Sequence, residues 1–344
     1  MSLSSLSSLS DHEEDFLHHR RRIPDRMDIF SKYDGEDFRI RYRISKHAVL
    51  QIRNILDIEP LTERNKPING LTQLLIFLRF IATGTSQAVL DDLIGIHKST
   101  VCRIIQRVSR KLAELSSAYI KMPNREELRE VAEGFFKIGG LPRVAGAVDC
   151  THIKIISRGG VLSEMFRCRK GFFSVNVQVV CDADVKIKDI VARWPGSVHD
   201  CTIFNNSHLC ADFESGRYGN HYLLGDSGYV NKNFLLVPIA KPQTSAEEAY
   251  NKCHIATRST VERCFGVWKR RCPCLEKGIT LNKTSTVLQV IVASAVLHNM
   301  CIDLDEMEPP SDIDITMDDI ITIPDEPNQT AVSVRTALIN SMFS

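Results

Sequence analysis

The sequence predicts an α/β protein: a mixed sheet with flanking helices, preceded by a small all-α region that carries a helix-turn-helix. Three observations predict it. Before about Pro142 the apolar residues recur with helical periodicity only. From Gly146 onward three strand-like runs follow one another, and strands then alternate with helical stretches. Acidic residues fall within or at the ends of those elements, although Asp is depleted in strand interiors.

The chain has 344 residues, 43% hydrophobic and 25% charged, enough for two domains and a sizeable core. Its 11 cysteines show no C-x-x-C pair, Cys272-Pro273-Cys274 being the nearest approach. That speaks against a zinc site and for a reducing compartment. No apolar run is long enough for a bilayer; Val287–Leu297, interrupted by Gln289 and Ser294, reads as a buried core helix, so no membrane partner is expected. The Ser/Leu-rich start lacks the basic residues of a secretory signal. Net charge is +1, but ten acidic and no basic residues lie between Asp303 and Glu326. Without that segment the balance is 43 basic against 32 acidic residues, a net charge of +11. A basic body with an acidic tail suits a nucleic-acid partner, and equally a tail that only aids solubility.

Residues 1–40 read as disordered or loosely ordered, with Arg20-Arg21-Arg22 as a short nuclear localisation patch. The expected location is the nucleus, with the cytoplasm open as a second one. Residues 41–141 form the helical region. Ser45 can cap a helix carrying Val49, Ile52 and Leu56, and Leu71–Ala82 is strongly apolar. A short helix over Gln87–Ile94, a turn at Gly95-Ile96-His97 and a longer helix from Ser99 to Leu115 make the helix-turn-helix. In the longer helix Val101, Ile104, Ile105, Val108, Leu112 and Leu115 form an apolar stripe opposite Arg103, Arg107 and Arg110. Ser99, Thr100 and Arg103 would face DNA base edges, with Arg107 and Arg110 on the same basic side. The competing reading is an ordinary helical hairpin with a solvated face. Another amphipathic helix spans Arg125–Phe136.

Residues 142–302 carry the sheet. The first strand holds Asp149 in its interior, between Gly146 and Ile155. Phe173–Cys181 alternates Val175, Val177 and Val179 with Asn176 and Gln178. Asp182-Ala183-Asp184 is turn chemistry, and Ile187–Trp194 completes a hairpin. Asp200 starts a short helix, a fourth strand at Tyr222–Leu224 runs into Asp226, and Leu235–Val237 is a fifth. Ser245 with Glu248 makes a capping box for a helix region that later carries Glu262, four residues after Arg258. A long apolar helix from Thr284 closes the region, and residues 303–344 form the acidic tail with a short terminal helix.

Three hairpin-linked strands followed by strands alternating with helices is the order of a ribonuclease H-like sheet. In that fold carboxylates gather where Asp149, Asp200, Asp226 and Glu262 stand. Each alone has a local explanation: a strand-end hydrogen bond, a helix N-cap, an Asp-Ser-Gly turn, and an ion pair with Arg258. Four together point to one shared purpose.

The chain resembles the Harbinger transposase-derived nuclease family of the DDE superfamily. The resemblance rests on Val148-Asp149-Cys150-Thr151-His152-Ile153, on Arg169-Lys170-Gly171 followed by Ser174-Val175-Asn176-Val177-Gln178, and on Trp194-Pro195-Gly196-Ser197-Val198-His199-Asp200. It continues through Leu224-Gly225-Asp226-Ser227-Gly228-Tyr229, Tyr250-Asn251, Val261-Glu262-Arg263-Cys264-Phe265-Gly266 and Leu297-His298-Asn299. It implies a DNA endonuclease that hydrolyses phosphodiesters with divalent metal, Mg²⁺ or Mn²⁺, held by clustered carboxylates. Asp149 is expected to bridge two metals, Asp226 and Glu262 to complete one site each, and Asp200 to be an accessory ligand or water-positioning group; whether Asp200 or Asp226 is the second member of the triad stays open, with Asp226 preferred because its strand lies beside the first. Arg258, Arg263 and Arg270, with Lys269 and Arg271 beside them, are expected to hold double-stranded DNA. The resemblance also implies a separate Myb-like DNA-binding partner. The alternative is a catalytically silent, domesticated descendant that binds DNA or a partner; a cysteine hydrolase has little support. DNA sequence preference and oligomeric state stay open.

Overall fold

The computed structural model describes residues 28–60, 67–84, 95–157, 159–309 and 329–343. The chain begins with α1 (Ile29–Lys32), α2 (Gly35–Tyr42), α3 (Lys46–Leu56), α4 (Gly70–Thr83), α5 (Lys98–Glu114), α6 (Ser116–Tyr119) and α7 (Glu127–Gly139). Loose order therefore does not extend to residue 40. Phe38 and Tyr42 are buried and stack with ring centroids 4.4 Å apart, which holds α2 on the core. Ser45 caps α3 by accepting from the Ala48 amide at 3.1 Å. Helix α5 starts earlier than Ser99: His97 is its cap, accepting from the Ser99 amide at 3.3 Å, so Ser99 lies in the first turn. Gly95, at φ +64, makes the preceding turn. The expected first helix of the helix-turn-helix, Gln87–Ile94, lies outside the described residues, as do the arginine patch at 20–22 and residues 310–328 of the tail.

The sheet comprises β1 (Val144–Lys154), β2 (Ser174–Cys181), β3 (Ile187–Pro195), β4 (Tyr222–Leu224) and β5 (Leu235–Leu236), in the order β3-β2-β1-β4-β5. The β1–β2 and β2–β3 pairs are antiparallel; β1–β4 and β4–β5 are parallel. This mixed five-stranded sheet with flanking helices is consistent with a ribonuclease H-like arrangement. The β2–β3 turn is set by Asp182, whose carboxylate accepts from the Asp184 and Lys186 amides at 3.0 and 2.9 Å.

Helices α8 (Asp200–Asn205) and α9 (His208–Glu214) cover one face over a small cluster that includes Val148, Val180, Phe204 and Tyr229. The other face receives α10 (Ser245–Arg271), followed by α11 (Cys274–Lys277) and α12 (Thr284–Asp303). The capping box of α10 sits one residue earlier than expected, with Thr244 and Glu247 rather than Ser245 and Glu248. By length and composition α12 could cross a membrane, yet it is mostly buried, packed between α5 and β3. The stripe Val101, Ile104, Ile105, Val108 and Leu112 is wholly buried and belongs to the same continuous core as Val177, Phe265 and Val296. The change from helices to strands near residue 142 is thus no break in the core. A final helix, α13 (Gln329–Met342), packs on α10 through the buried Leu338 and Ile339.

Candidate active site

Strand pairing brings two of the four carboxylates together. Ala147 pairs with Leu224 across the parallel β1–β4 ladder, and two residues further along each chain stand Asp149 and Asp226. Gly146 leaves room for the neighbouring side chains on both flanking strands: a Cβ there would lie 2.5 Å from Val180 Cγ1 on β2 and 3.3 Å from Leu223 Cδ2 on β4. Asp149 points to the α10 side of β1, the side of Ala147.

Helix α10 supplies the third carboxylate and a cation. Arg258 Nη1 donates to Asp149 Oδ2 at 3.1 Å, and its Nη2 donates to Glu262 Oε1 one turn along the helix. The Arg258 side chain is 8% exposed, against 17% for that of Asp149 and 36% for that of Glu262. Asp149 also accepts from the Cys150 amide at 2.8 Å. Asp226 is buried and accepts from the Gly228 amide at 2.9 Å, in the Asp-Ser-Gly turn. Asp200 opens α8 and accepts from Asn176 Nδ2 at 2.8 Å; the same amide also donates to the Val198 carbonyl. The β1–β2 register puts Asn176 on the opposite face from Asp149, so Asp200 approaches from the other side of the sheet end.

Burial and like charge act together here. Burial, then the charge of Asp226, pushes the Asp149 carboxyl well above the usual carboxylate range, although Arg258 and the Cys150 amide pull it down. Asp226 is raised chiefly by burial, with Asp200 and Glu262 adding to it and the Gly228 amide and Arg258 opposing it. One turn before Arg258, burial lowers His254 to about 4, which leaves it neutral and its Nε2–H donating to the Leu236 carbonyl at 3.0 Å. Among the described residues, no three His, Cys, Asp or Glu side chains converge closely enough to hold a metal ion as they stand.

The basic residues divide. Arg258, expected on the DNA backbone, instead turns inward between two carboxylates. Lys269 is buried against Glu276 at 3.0 Å, and Arg271 is buried, donating to the Arg43 and Met307 carbonyls. Arg270 pairs with Glu308 at 3.4 Å, while Arg263 is exposed and donates to the Ala183 carbonyl. On α5, Arg103 is exposed with its Nε donating to the Ser99 carbonyl, Arg110 pairs with Glu114 at 3.7 Å, and Arg107 and Thr100 are half-buried. The ion pair of Arg258 with Glu262 was visible as a four-residue spacing. Its reach to Asp149 had no sequence signal.

Comparison with known proteins shows the family of the chain. The family described as DDE superfamily endonuclease matches residues 148–299, which span all four carboxylates. The human protein named "Putative nuclease HARBI1" is 33% identical over 245 residues, covering 70% of this chain and 70% of its own length. Its mouse counterpart is 34% identical over the same coverage. "Protein ALP1-like" of Arabidopsis thaliana is 27% identical over 256 residues, 70% of this chain and 62% of that protein. No solved structure matches the chain.

Proposed function

The chain belongs to the Harbinger transposase-derived nuclease family, and on that premise we propose that it is a divalent-metal-dependent endonuclease of double-stranded DNA. One observation carries the proposal. Asp149 and Asp226 leave adjacent parallel strands at the same sheet end, where Arg258 ties Asp149 to Glu262 on α10.

The donor set fits Mg²⁺ or Mn²⁺. All four groups offer hard oxygens, and a divalent cation would favour the charged forms of Asp149 and Asp226, which burial and neighbouring carboxylates now disfavour. Asp149, Asp226 and Glu262 would hold the cations, with Asp200 an accessory ligand held by Asn176. Divalent metal held by these residues would supply an activated water, charge relief on the phosphate and support for the leaving oxygen. Arg258 has a distinct part: its single positive charge is shared between Asp149 and Glu262, and it would have to release at least one of them to a bound cation.

That same guanidinium favours a second reading, a silent descendant in which Arg258 permanently stands in for the metal. One assay separates the two. Purified protein should nick duplex DNA with Mg²⁺ or Mn²⁺ and stop with a chelator. Absence of metal-dependent nicking, together with a melting temperature indifferent to Mn²⁺, would leave only the silent reading.

A further inference from the structure

Beside the acidic site stands a cationic pair with no part in the carboxylate reading. Arg169 and Lys170 are the central residues of a tight turn, closed by the Gly171 amide donating to the Cys168 carbonyl at 2.9 Å. Gly171 has φ +84, which residues with side chains rarely adopt. The turn is braced. Arg167 Nη1 donates to the Gly171 carbonyl at 2.9 Å, its other nitrogens pair with Glu164, and its guanidinium lies 4.5 Å from the Phe173 ring centroid. Cys168 is buried at the base, while Arg169 and Lys170 are exposed.

A second loop, after β3, is pinned to the first. The Gly196 amide donates to the Ser174 carbonyl at 2.9 Å and the Ser197 amide to the Met165 carbonyl at 3.2 Å. It delivers the exposed His199, and Arg169 Nη2 lies against both ring nitrogens, 3.3 Å from Nε2 and closer to Nδ1. The next residue is Asp200. The guanidinium can only donate, so the His199 Nδ1 it meets most closely accepts and Nε2 carries the ring N–H; among the described residues no carboxylate pairs with Arg169. Two rigidly presented donors that share no acid suit an anionic acceptor with more than one oxygen.

We propose that Arg169 and His199, with Lys170 alongside, receive a backbone phosphate of the DNA strand that enters on the Asp200 side of the acidic site. The proposal rests on the endonuclease reading and supplies what the carboxylates cannot: attraction for a polyanion beside four acidic groups. One non-bridging oxygen accepts from the guanidinium and the other from the imidazole, which fixes strand position without reading sequence.

The test is fluorescence anisotropy of the full chain on a short labelled duplex, in chelator so that no strand is cut, from about 50 to 200 mM salt. The double variant R169A/H199A should bind about tenfold more weakly at low salt, with the salt slope shallower by about 1. R169K should keep the slope, because charge is retained, and R169Q should lose it. Unchanged affinity and slope in the double variant, from a wild type that binds DNA, would overturn the phosphate role and leave the nuclease reading standing. A wild-type chain that binds no DNA at any of these salts would remove both. Both side chains are exposed, so melting temperatures should match the wild type, and R169Q serves if the alanine loosens the turn.

Discussion

Replacing Arg258 by Met tests the centre of the site. The change keeps a long apolar stem in the space α10 leaves at β1 and removes the cation that Asp149 and Glu262 share. Stripping one partner from a buried ion pair costs about 3–5 kcal/mol when the other charge stays uncompensated. Two features reduce that here. Glu262 is 36% exposed, so solvent screens its loss. Asp149 is already held above the usual carboxylate range, so it can neutralise instead of staying charged. A net loss of about 2 kcal/mol at pH 8 follows, or about 3 °C in Tm for a chain of 344 residues. Without its cation Asp149 is raised further. A carboxyl whose folded pKa is raised favours the folded state at low pH, and that benefit disappears as pH rises through the folded value. The deficit of R258M should therefore grow from pH 5 to pH 8. Melting curves in chelator across that range measure it, and Mn²⁺ should restore more stability to the variant than to the wild type, since the metal meets no competing guanidinium. A deficit that stays constant with pH, or a variant as stable as the wild type at pH 8, would refute the account of Arg258 as the counterion of Asp149.

Two further outcomes are expected. D226N keeps the acceptor for the Gly228 amide but removes a buried charge raised by burial and by Asp200 and Glu262. In chelator at pH 8 it should melt above the wild type, by about 0.5–2 kcal/mol, with the gain vanishing towards pH 4, and it should lose metal-dependent nicking by at least about 100-fold; equal nicking would remove Asp226 from the metal set. R103A/R107A/R110A leaves the buried stripe of α5 intact, so it should fold normally while DNA affinity falls and its salt slope flattens; unchanged affinity and slope would make α5 a purely structural helix.

Local patterns in the chain were enough to find most elements. The apolar stripe of α5, the alternation in β2 and the Asp182 turn each obey a rule that spans a few residues, and each appears as expected. Cap positions were legible only to within a residue or two. Thr244-x-x-Glu247 and Ser245-x-x-Glu248 are the same signature in two frames, and His97 caps α5 where Ser99 also could. The four acidic positions were visible because Asp interrupts strands and because strand order suggested a common end. Which cation stands among them was not. Arg258 lies 109 residues from Asp149, and only the packing of α10 on β1 brings the two together. The same holds for Lys269 and Arg271, read as surface cations but buried against Glu276 and backbone carbonyls, and for the single core joining α5 to α12. Periodicity records which side of an element is apolar. It carries no record of which distant charge a buried group will meet, because that depends on how the finished layers stack.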